Sequence, residues 1–484
     1  MKTFCEEVKM KSIFSEGSQI TQLICCLLTL IPVFSYGAAV GWMSPMTLLL
    51  QSENSPRSEP LTDLEISWMA SIPYLITLPS AWLLVVIADK IGRKFAILLV
   101  SLAGLGTWAI LLSSLETWAL ITARALVGIS ASGSYVVFPI YIKEIGEDSI
   151  RGSLGCLIGV FHTGGNLFLY IIGDMLDYYT VLWICLSLPI THLILLTMMP
   201  ETPSFLLKKG EDEKALKALA WLRCRSEDDV EVIKELEHTR REQENDAQSN
   251  KFLLKEIYNN KILFKAFQIA LIAVLAREVC GAVPVLNFAG EIFTMASGGK
   301  ELLLSPNQQA ILLGSVQVVG SVFVSSIVEK SGRKNLLFFT SLLSALSMGA
   351  LATWFLLQDL DIRATSWLPL ATLCLCIFCD SAGLQPVSMV LAGEIFSFKY
   401  RGTVMGVTMS IASFSDFLQL LFFKPLTNEI GIFAAFYFFA AVCFFISIYV
   451  ILCIPETRAR TLEDIYGDLR KKEKREIREK EETA

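Results

Sequence analysis

PETPSFLLKKGEDEKALKALAWLRCRSEDDVEVIKELEHTRREQEND, residues 200–246, is the one long polar island in an otherwise apolar chain. It opens on Pro200-Glu201-Thr202-Pro203 and runs through dense mixed charge at Glu211-Asp212-Glu213-Lys214, Glu227-Asp228-Asp229 and Arg240-Arg241-Glu242. Within it Ala215, Leu216, Leu219, Ala220 and Leu222, then Val230, Ile233 and Leu236, recur at helical spacing. Short amphipathic helices are expected over 200–261, acting as a solvated linker that carries no chemistry. On either side lies a block made of long hydrophobic runs, so the island divides the chain into two.

Composition sets the class. The 484 residues are 53% hydrophobic, above the roughly 45–50% of soluble chains, with a mean hydropathy of +0.54. The runs approach the roughly 20 residues that cross a bilayer. Net charge is −6, but the charges fall between the runs, so no nucleic-acid face is implied. The twelve cysteines lie mostly inside the runs (Cys25, Cys26, Cys156, Cys374, Cys376, Cys443) and read as small packing residues rather than zinc ligands or disulfides. A polar start followed by many spans predicts a multi-pass protein without a cleaved signal peptide, and the terminal Glu-Glu-Thr-Ala offers no prenylation site.

Twelve spans are expected, near 20–46, 64–88, 95–115, 118–142, 153–175 and 180–199, then 262–292, 307–328, 335–357, 366–393, 403–424 and 431–454. An even number puts both termini on one side. One set of connections holds Lys90, Arg93, Lys94, Lys143, Arg151, the island, Lys330, Arg333, Lys334, Lys399 and Arg401. The other holds little beyond Arg57, Lys300 and Arg363. By the positive-inside bias the island and both termini, 1–19 and 455–484, are cytoplasmic.

The two blocks are copies. Asp89-Lys90-Ile91-Gly92-Arg93-Lys94 returns as Glu329-Lys330-Ser331-Gly332-Arg333-Lys334, 240 residues on. Glu144-Ile145 with Arg151-Gly152 returns as Glu394-Ile395 with Arg401-Gly402, 250 residues on. Pro200-Glu201-Thr202 returns as Pro455-Glu456-Thr457, 255 residues on. Three echoes in order at nearly constant offset mean two parallel six-span repeats, 20–199 and 262–454. That arrangement places substrate at the interface between halves, near mid-membrane.

These residues resemble the sugar porter family of the major facilitator superfamily over essentially the whole chain. The resemblance rests on Gly92-Arg93-Lys94, Arg124 with Gly128, Pro139-x-Tyr141-x-x-Glu144 with Arg151-Gly152, and Pro200-Glu201-Thr202-Pro203. In the second half it rests on Gly332-Arg333-Lys334, Glu394 with Arg401-Gly402, and Pro455-Glu456-Thr457-Arg458-x-Arg460-Thr461-Leu462-Glu463. Gly41-Trp42-x-Ser44-Pro45 and Ser67-Trp68 are similar to the insect facilitated trehalose transporter group. The resemblance implies an all-α, twelve-helix carrier for a small polar solute, a sugar foremost, in the plasma membrane. It implies gating at Arg93, Arg124, Glu144, Arg151, Glu329, Arg333, Glu394 and Arg401. All of these but Arg124 stand at cytoplasmic span ends, where opposite charges could pair across the halves and release in each cycle; exposed pairs of this kind are worth about 0–1 kcal/mol each. The alternative is that they only set topology.

The pocket departs from that family. Where sugar porters carry amides and aromatics, this chain has Gly159, then Arg277-Glu278-Val279-Cys280-Gly281-Ala282-Val283, Asn287-Phe288, Gln317, Gln385-Pro386-Val387-Ser388-Met389, and Asp416-Phe417. Amides both donate to and accept from sugar hydroxyls, so ordinary hexose binding is not expected. Gly159, His162, Thr163 and Asn166 form a new polar stripe on one face of the fifth span. His192 has no such stripe and reads as structural. Arg277, Glu278, Asp380 and Asp416 are ionisable at membrane depth, each costing about 2.5–3.5 kcal/mol on insertion scales unless partnered. Glu278 and Asp416 either form an internal ion pair or contact substrate or a proton. Gly281 and Pro284 predict a break in the seventh helix. The candidate substrate residues are thus His162, Asn166, Glu278, Gln317, Gln385, Met389 and Asp416.

No nucleotide loop, zinc cluster or nucleophile triad is present, so neither an enzyme nor a cofactor is expected; the partners are solute and lipid, and a monomer suffices. Proton-coupled relatives carry an acidic first-span residue, which Phe34–Gly41 lacks. Facilitated diffusion is therefore favoured over proton symport through Glu278, Asp416 or His162. A non-transporting nutrient sensor is the rival from another class, disfavoured by the short charged tail around Arg470-Lys471-Lys472-Glu473-Lys474.

Overall fold

A computed structural model describes residues 17–52, 55–57, 59–247, 253–297, 304–362, 365–458, 460 and 462–470. Much of both terminal tails lies outside the described residues, as does the side chain of Glu329. Among the described residues every regular element is helical. In lipid this is what the backbone requires, since a helix satisfies its own N–H and C=O groups. The chain is an all-α membrane protein of twelve spans. They are Ile20–Gln51, Asp63–Lys90, Arg93–Ser113, Thr117–Ile145, Ser149–Met175 and Tyr178–Leu196, then Lys261–Asn287, Pro306–Ser331, Arg333–Asp359, Leu368–Glu394, Lys399–Ile430 and Ile432–Cys453. The seventh breaks as its sequence predicts. It is helical over Lys261–Glu278, turns at Gly281 with φ +91°, and resumes as Ala282–Asn287 and Ala289–Ser297.

The repeat extends beyond what the motifs reveal. A five-residue π segment interrupts the fourth span at Gly133–Val137 and the tenth at Asp380–Leu384. A Cβ on Gly133 would press on Val100 in the third span, and one on Gly383 would press on Thr340 in the ninth. Both bulges therefore sit where a glycine lets neighbouring helices close up.

The Pro-Glu-Thr and Gly-Arg-Lys echoes prove to be two parts of one device. The Glu201 carboxylate accepts the backbone N–H groups of Arg93 and Lys94, each at 3.1 Å. Glu456 accepts those of Arg333 at 3.0 Å and Lys334 at 3.2 Å. A helix N-terminus offers unpaired donors and a positive dipole end, which a carboxylate satisfies together. Gly92 (φ +140°) and Gly332 (φ +79°) are needed beside them, because a Cβ would strike the Glu201 or Glu456 carboxylate. Lys94 and Lys334 tie down the loop by donating to Met199 O (2.6 Å) and Ile451 O (2.8 Å).

By internal contacts the chain forms two compact units. The first holds the residues up to Val40, Leu75–Asn166 and Leu176–Ser249. Its core packs Cys25, Cys26, Leu30, Val33, Ile97, Val100, Phe138 and Tyr141 with Leu222 of the linker. The linker itself is four helices, Pro203–Lys208, Asp212–Leu222, Val230–Ala247 and Leu253–Asn259. One expectation is corrected. Val230 and Ile233 are exposed, and the apolar face runs instead through Val232 and Leu236 onto Leu216, Leu219 and Ala220. Nor is the linker merely solvated: Arg223, 5% exposed, donates to Ile145 O at 2.8 Å and to Glu235 at 2.6 Å.

The second unit holds Gly41–Tyr74, Leu167–Met175 and the residues from Asn250 onward. Parts of the first, second and fifth spans thus pack with the second half. Tyr170 Oη donates to Leu286 O at 2.6 Å, and Ser44 Oγ accepts from Gly290 N at 2.9 Å.

Candidate substrate and gating sites

In the first unit Arg93 donates to Glu144 from Nε (3.1 Å) and Nη2 (3.0 Å), while the Thr202 hydroxyl donates to the same carboxylate. The second unit repeats this. Arg333 Nη2 donates to Glu394 at 2.9 Å, and the Thr457 hydroxyl donates to it as well. Arg151 reaches Gly146 O at 3.2 Å and Arg401 reaches Phe396 O at 3.4 Å. Glu144 and Glu394 are therefore each held by the arginine and threonine of its own repeat. Arg124 stands apart from this group. It is 2% exposed in the fourth span and donates to Ala39 O, a carbonyl beside the break that separates Ile20–Gly41 from Met43–Gln51. That contact supplies a partner where the helix supplies none.

The capping glutamates differ electrostatically. Burial pushes Glu201 above the usual carboxylate range against the pull of the Thr202, Lys94 and Arg93 amides. Burial also raises Glu456, but there the amides of Arg458, Arg333, Lys334 and Thr457 outweigh it and hold the carboxyl low.

Of the substrate candidates, the first unit holds His162 and Asn166. Their stripe runs from exposed Gly159 through half-buried His162 to Asn166 at 1% exposure. The Thr163 hydroxyl is spent on Gly159 O, at 3.0 Å. The His162 ring lies 5.0 Å from that of Tyr36, which meets Tyr135 edge-on at 6.3 Å. Tyr135 is 40% exposed on the π segment. Gly37 and Gly165 make this possible, because a Cβ on either would land on a carbonyl of the other helix, His162 O or Phe34 O. Sequence reasoning missed Tyr36 and Tyr135, aromatics that stand beside the stripe without matching the family's Trp. His192 bonds Ser101 through Nδ1 at 2.7 Å and is fully buried, in keeping with a structural role.

The second unit brings the four ionisable residues together. Arg277 Nη1 donates to Glu278 Oε2 at 2.5 Å, and Arg277 Nε lies 3.6 Å from Asp380 Oδ1. The buried Asp416 carboxyl lies close enough to Glu278 for the two to repel. Glu278, Asp380 and Asp416 are each at most 4% exposed. The one guanidinium contacts two of the three acids, Glu278 and Asp380, and Asp380 Oδ2 and Asp416 Oδ1 have no hydrogen-bond partner. Three residues on from Asp416, the Gln419 amide also has neither end bonded. Its i+3 spacing from Asp416 was the signal that could have found it. Gln317 is 2% exposed, while Gln385 and Met389 are half-buried just beyond the Asp380–Leu384 bulge. Trp68 packs on Phe417 at 6.3 Å.

Comparison with known proteins agrees with this architecture. The profile of the sugar (and other) transporter family matches residues 22–468. The facilitated trehalose transporter of Bombyx mori is 25% identical over 447 residues, covering 92% of this chain and 86% of its own. That of Polypedilum vanderplanki is 27% identical over 448 residues, covering 92% and 87%. Among solved structures, the inward-open xylose transporter XylE from E. coli superposes with a TM-score of 0.72 at 17% identity, over 92% of this chain and 99% of that one. That likeness speaks for the fold.

Proposed function

The chain belongs to the sugar transporter family and is a sugar carrier that works by alternating access; from that premise we propose that it moves trehalose or a similar polyhydroxylated solute by facilitated diffusion. We place it in the plasma membrane with the linker and both termini cytoplasmic, from the distribution of Lys and Arg. Glu278, Gln317, Gln385, Met389 and Asp416 form the sugar-facing residues of the second half, and His162 and Asn166 those of the first. The observation that carries this reading is the buried Asp416 carboxylate oxygen without a partner, Oδ1. A buried acceptor left unpaired costs about 1–3 kcal/mol, and a sugar hydroxyl is the donor that removes the cost. Gating falls to the Arg93–Glu144 and Arg333–Glu394 pairs with Arg151 and Arg401. The test is solute counterflow in proteoliposomes across trehalose, hexoses, polyols and charged solutes. Trehalose exchange without an imposed pH gradient supports the reading, and exchange of charged solutes alone overturns it.

The closeness of the buried Glu278 and Asp416 side chains favours a second reading, proton-coupled symport. It predicts accumulation of sugar above the external concentration when the outside is acidic. Facilitated diffusion predicts equilibration only.

A further inference from the structure

Lys424 lies in the eleventh span at 2% exposure, and its ammonium touches two carboxylates, Asp63 Oδ1 at 2.8 Å and Glu291 Oε1 at 3.0 Å. Asp63 opens the second span and belongs to the first half of the sequence, whereas Glu291 and Lys424 belong to the second. All three are in one compact unit. By span order they stand at the end of the spans away from the linker, near the connections after the first, seventh and eleventh. Asp63 is also held by Asn428 Nδ2 at 2.9 Å, one turn beyond Lys424. The two acids are unlike: the Asp63 side chain is 49% exposed and that of Glu291 19%. Glu291 Oε2 is buried with no hydrogen-bond partner.

A buried ammonium stripped of its only carboxylate is strongly disfavoured. Lys424 escapes that penalty because it has two. We propose that Asp63, Lys424 and Glu291 form a charged gate at the end of the carrier opposite the linker. The Lys424–Asp63 bond closes it by joining the two halves of the chain. Glu291 keeps the lysine neutralised when Asp63 leaves, and its unpartnered Oε2 can take up the donor that Asp63 releases. Half-exposed Asp63 passes into water at little cost, so the gate opens without stranding a charge. Tyr170 on Leu286 and Ser44 on Gly290 are the neutral hydrogen bonds of the same closure. The proposal rests on the alternating-access reading only for its purpose, because its test reads accessibility and not sugar flux.

The two acids should then act in opposite directions. In the full-length chain reconstituted in proteoliposomes, Leu48→Cys is placed beside Gly290, where the leucine now packs, with the other reactive cysteines replaced. Its modification by an impermeant maleimide reports opening. Asp63→Asn should raise the rate several-fold by removing the closing bond. Glu291→Gln should lower it several-fold, because opening now leaves Lys424 bare. Equal rates in all variants, or the same direction of change for both single neutralisations, would overturn the gate; the latter would show that these groups merely pack the helices. Sugar flux retained in that case would leave the transport reading standing.

Discussion

Glu201 caps the helix that Arg93 begins, and Glu456 does the same for Arg333 in the second repeat. Because their burial differs, acid should separate them. The raised carboxyl of Glu201 contributes stability that is complete below the ordinary glutamate range and lost as pH rises through its folded value. The lowered carboxyl of Glu456 contributes stability present above that range and lost as pH falls through its folded value. Melting of Glu201→Gln and Glu456→Gln in detergent between about pH 4 and 7 reads this directly. The parent-minus-variant difference should shrink with rising pH for Glu201 and grow for Glu456. Parallel trends would contradict the assignment.

Arg93 and Arg401 should separate stability from gating. Arg93 is 8% exposed and chelates Glu144. Arg93→Ala strands that acid and should cost about 3 kcal/mol of stability, the lower end for a broken buried pair. Arg401, exposed and bonded to one carbonyl, should leave melting nearly unchanged on Arg401→Ala while shifting the carrier toward its inward-open form and slowing exchange. Inner-mouth labelling identical to the parent would count against the gating role.

Arg223 should control how firmly the linker is held. Its bonds to Ile145 O and Glu235 are charge-assisted, each worth about 1.5–3 kcal/mol. Arg223→Ala should therefore speed proteolysis within 223–247 well before the spans melt. An unchanged cleavage rate would mean that Leu222 and the Leu219–Val232 cluster hold the linker without it.

The membrane orientation has its own check. A tag inserted near Gln243 should be protected in intact cells and become labelled only on permeabilisation. Labelling of intact cells would invert the topology.

The fold was legible because long apolar runs and repeated charged motifs are local signals. Gly281 and Pro284 announced the break in the seventh span by residue type alone. The π segments at Gly133 and Asp380 were not legible, since a bulge depends on what packs against it, here Val100 and Thr340. Pro-Glu-Thr was visible as an echo, but its purpose required seeing Glu201 beside Arg93. Val230 and Ile233 failed because one residue's rotation selects a different face, and Val232 took the core. In the site, Glu278 and Asp416 stood out as charges in apolar runs. Lys424 carries the same signal. It passed unnoticed because it lies near a span end, where a lysine ordinarily reaches water, and only its partners Asp63 and Glu291 show otherwise.

The buried carboxylate cluster sets what the carrier accepts, a role that Glu278→Gln with Asp416→Asn tests most directly. Glu278→Gln also restores an amide where sugar porters have one. The measurement is trehalose and hexose counterflow in proteoliposomes, for parent and both variants. Asp416→Asn should weaken trehalose exchange roughly tenfold, the effect of about 1.4 kcal/mol in one hydroxyl contact. Glu278→Gln should admit ordinary hexoses. Substrate range and affinity unchanged in both variants would contradict this, and would make Glu278 and Asp416 partners of Arg277 in holding the helices together.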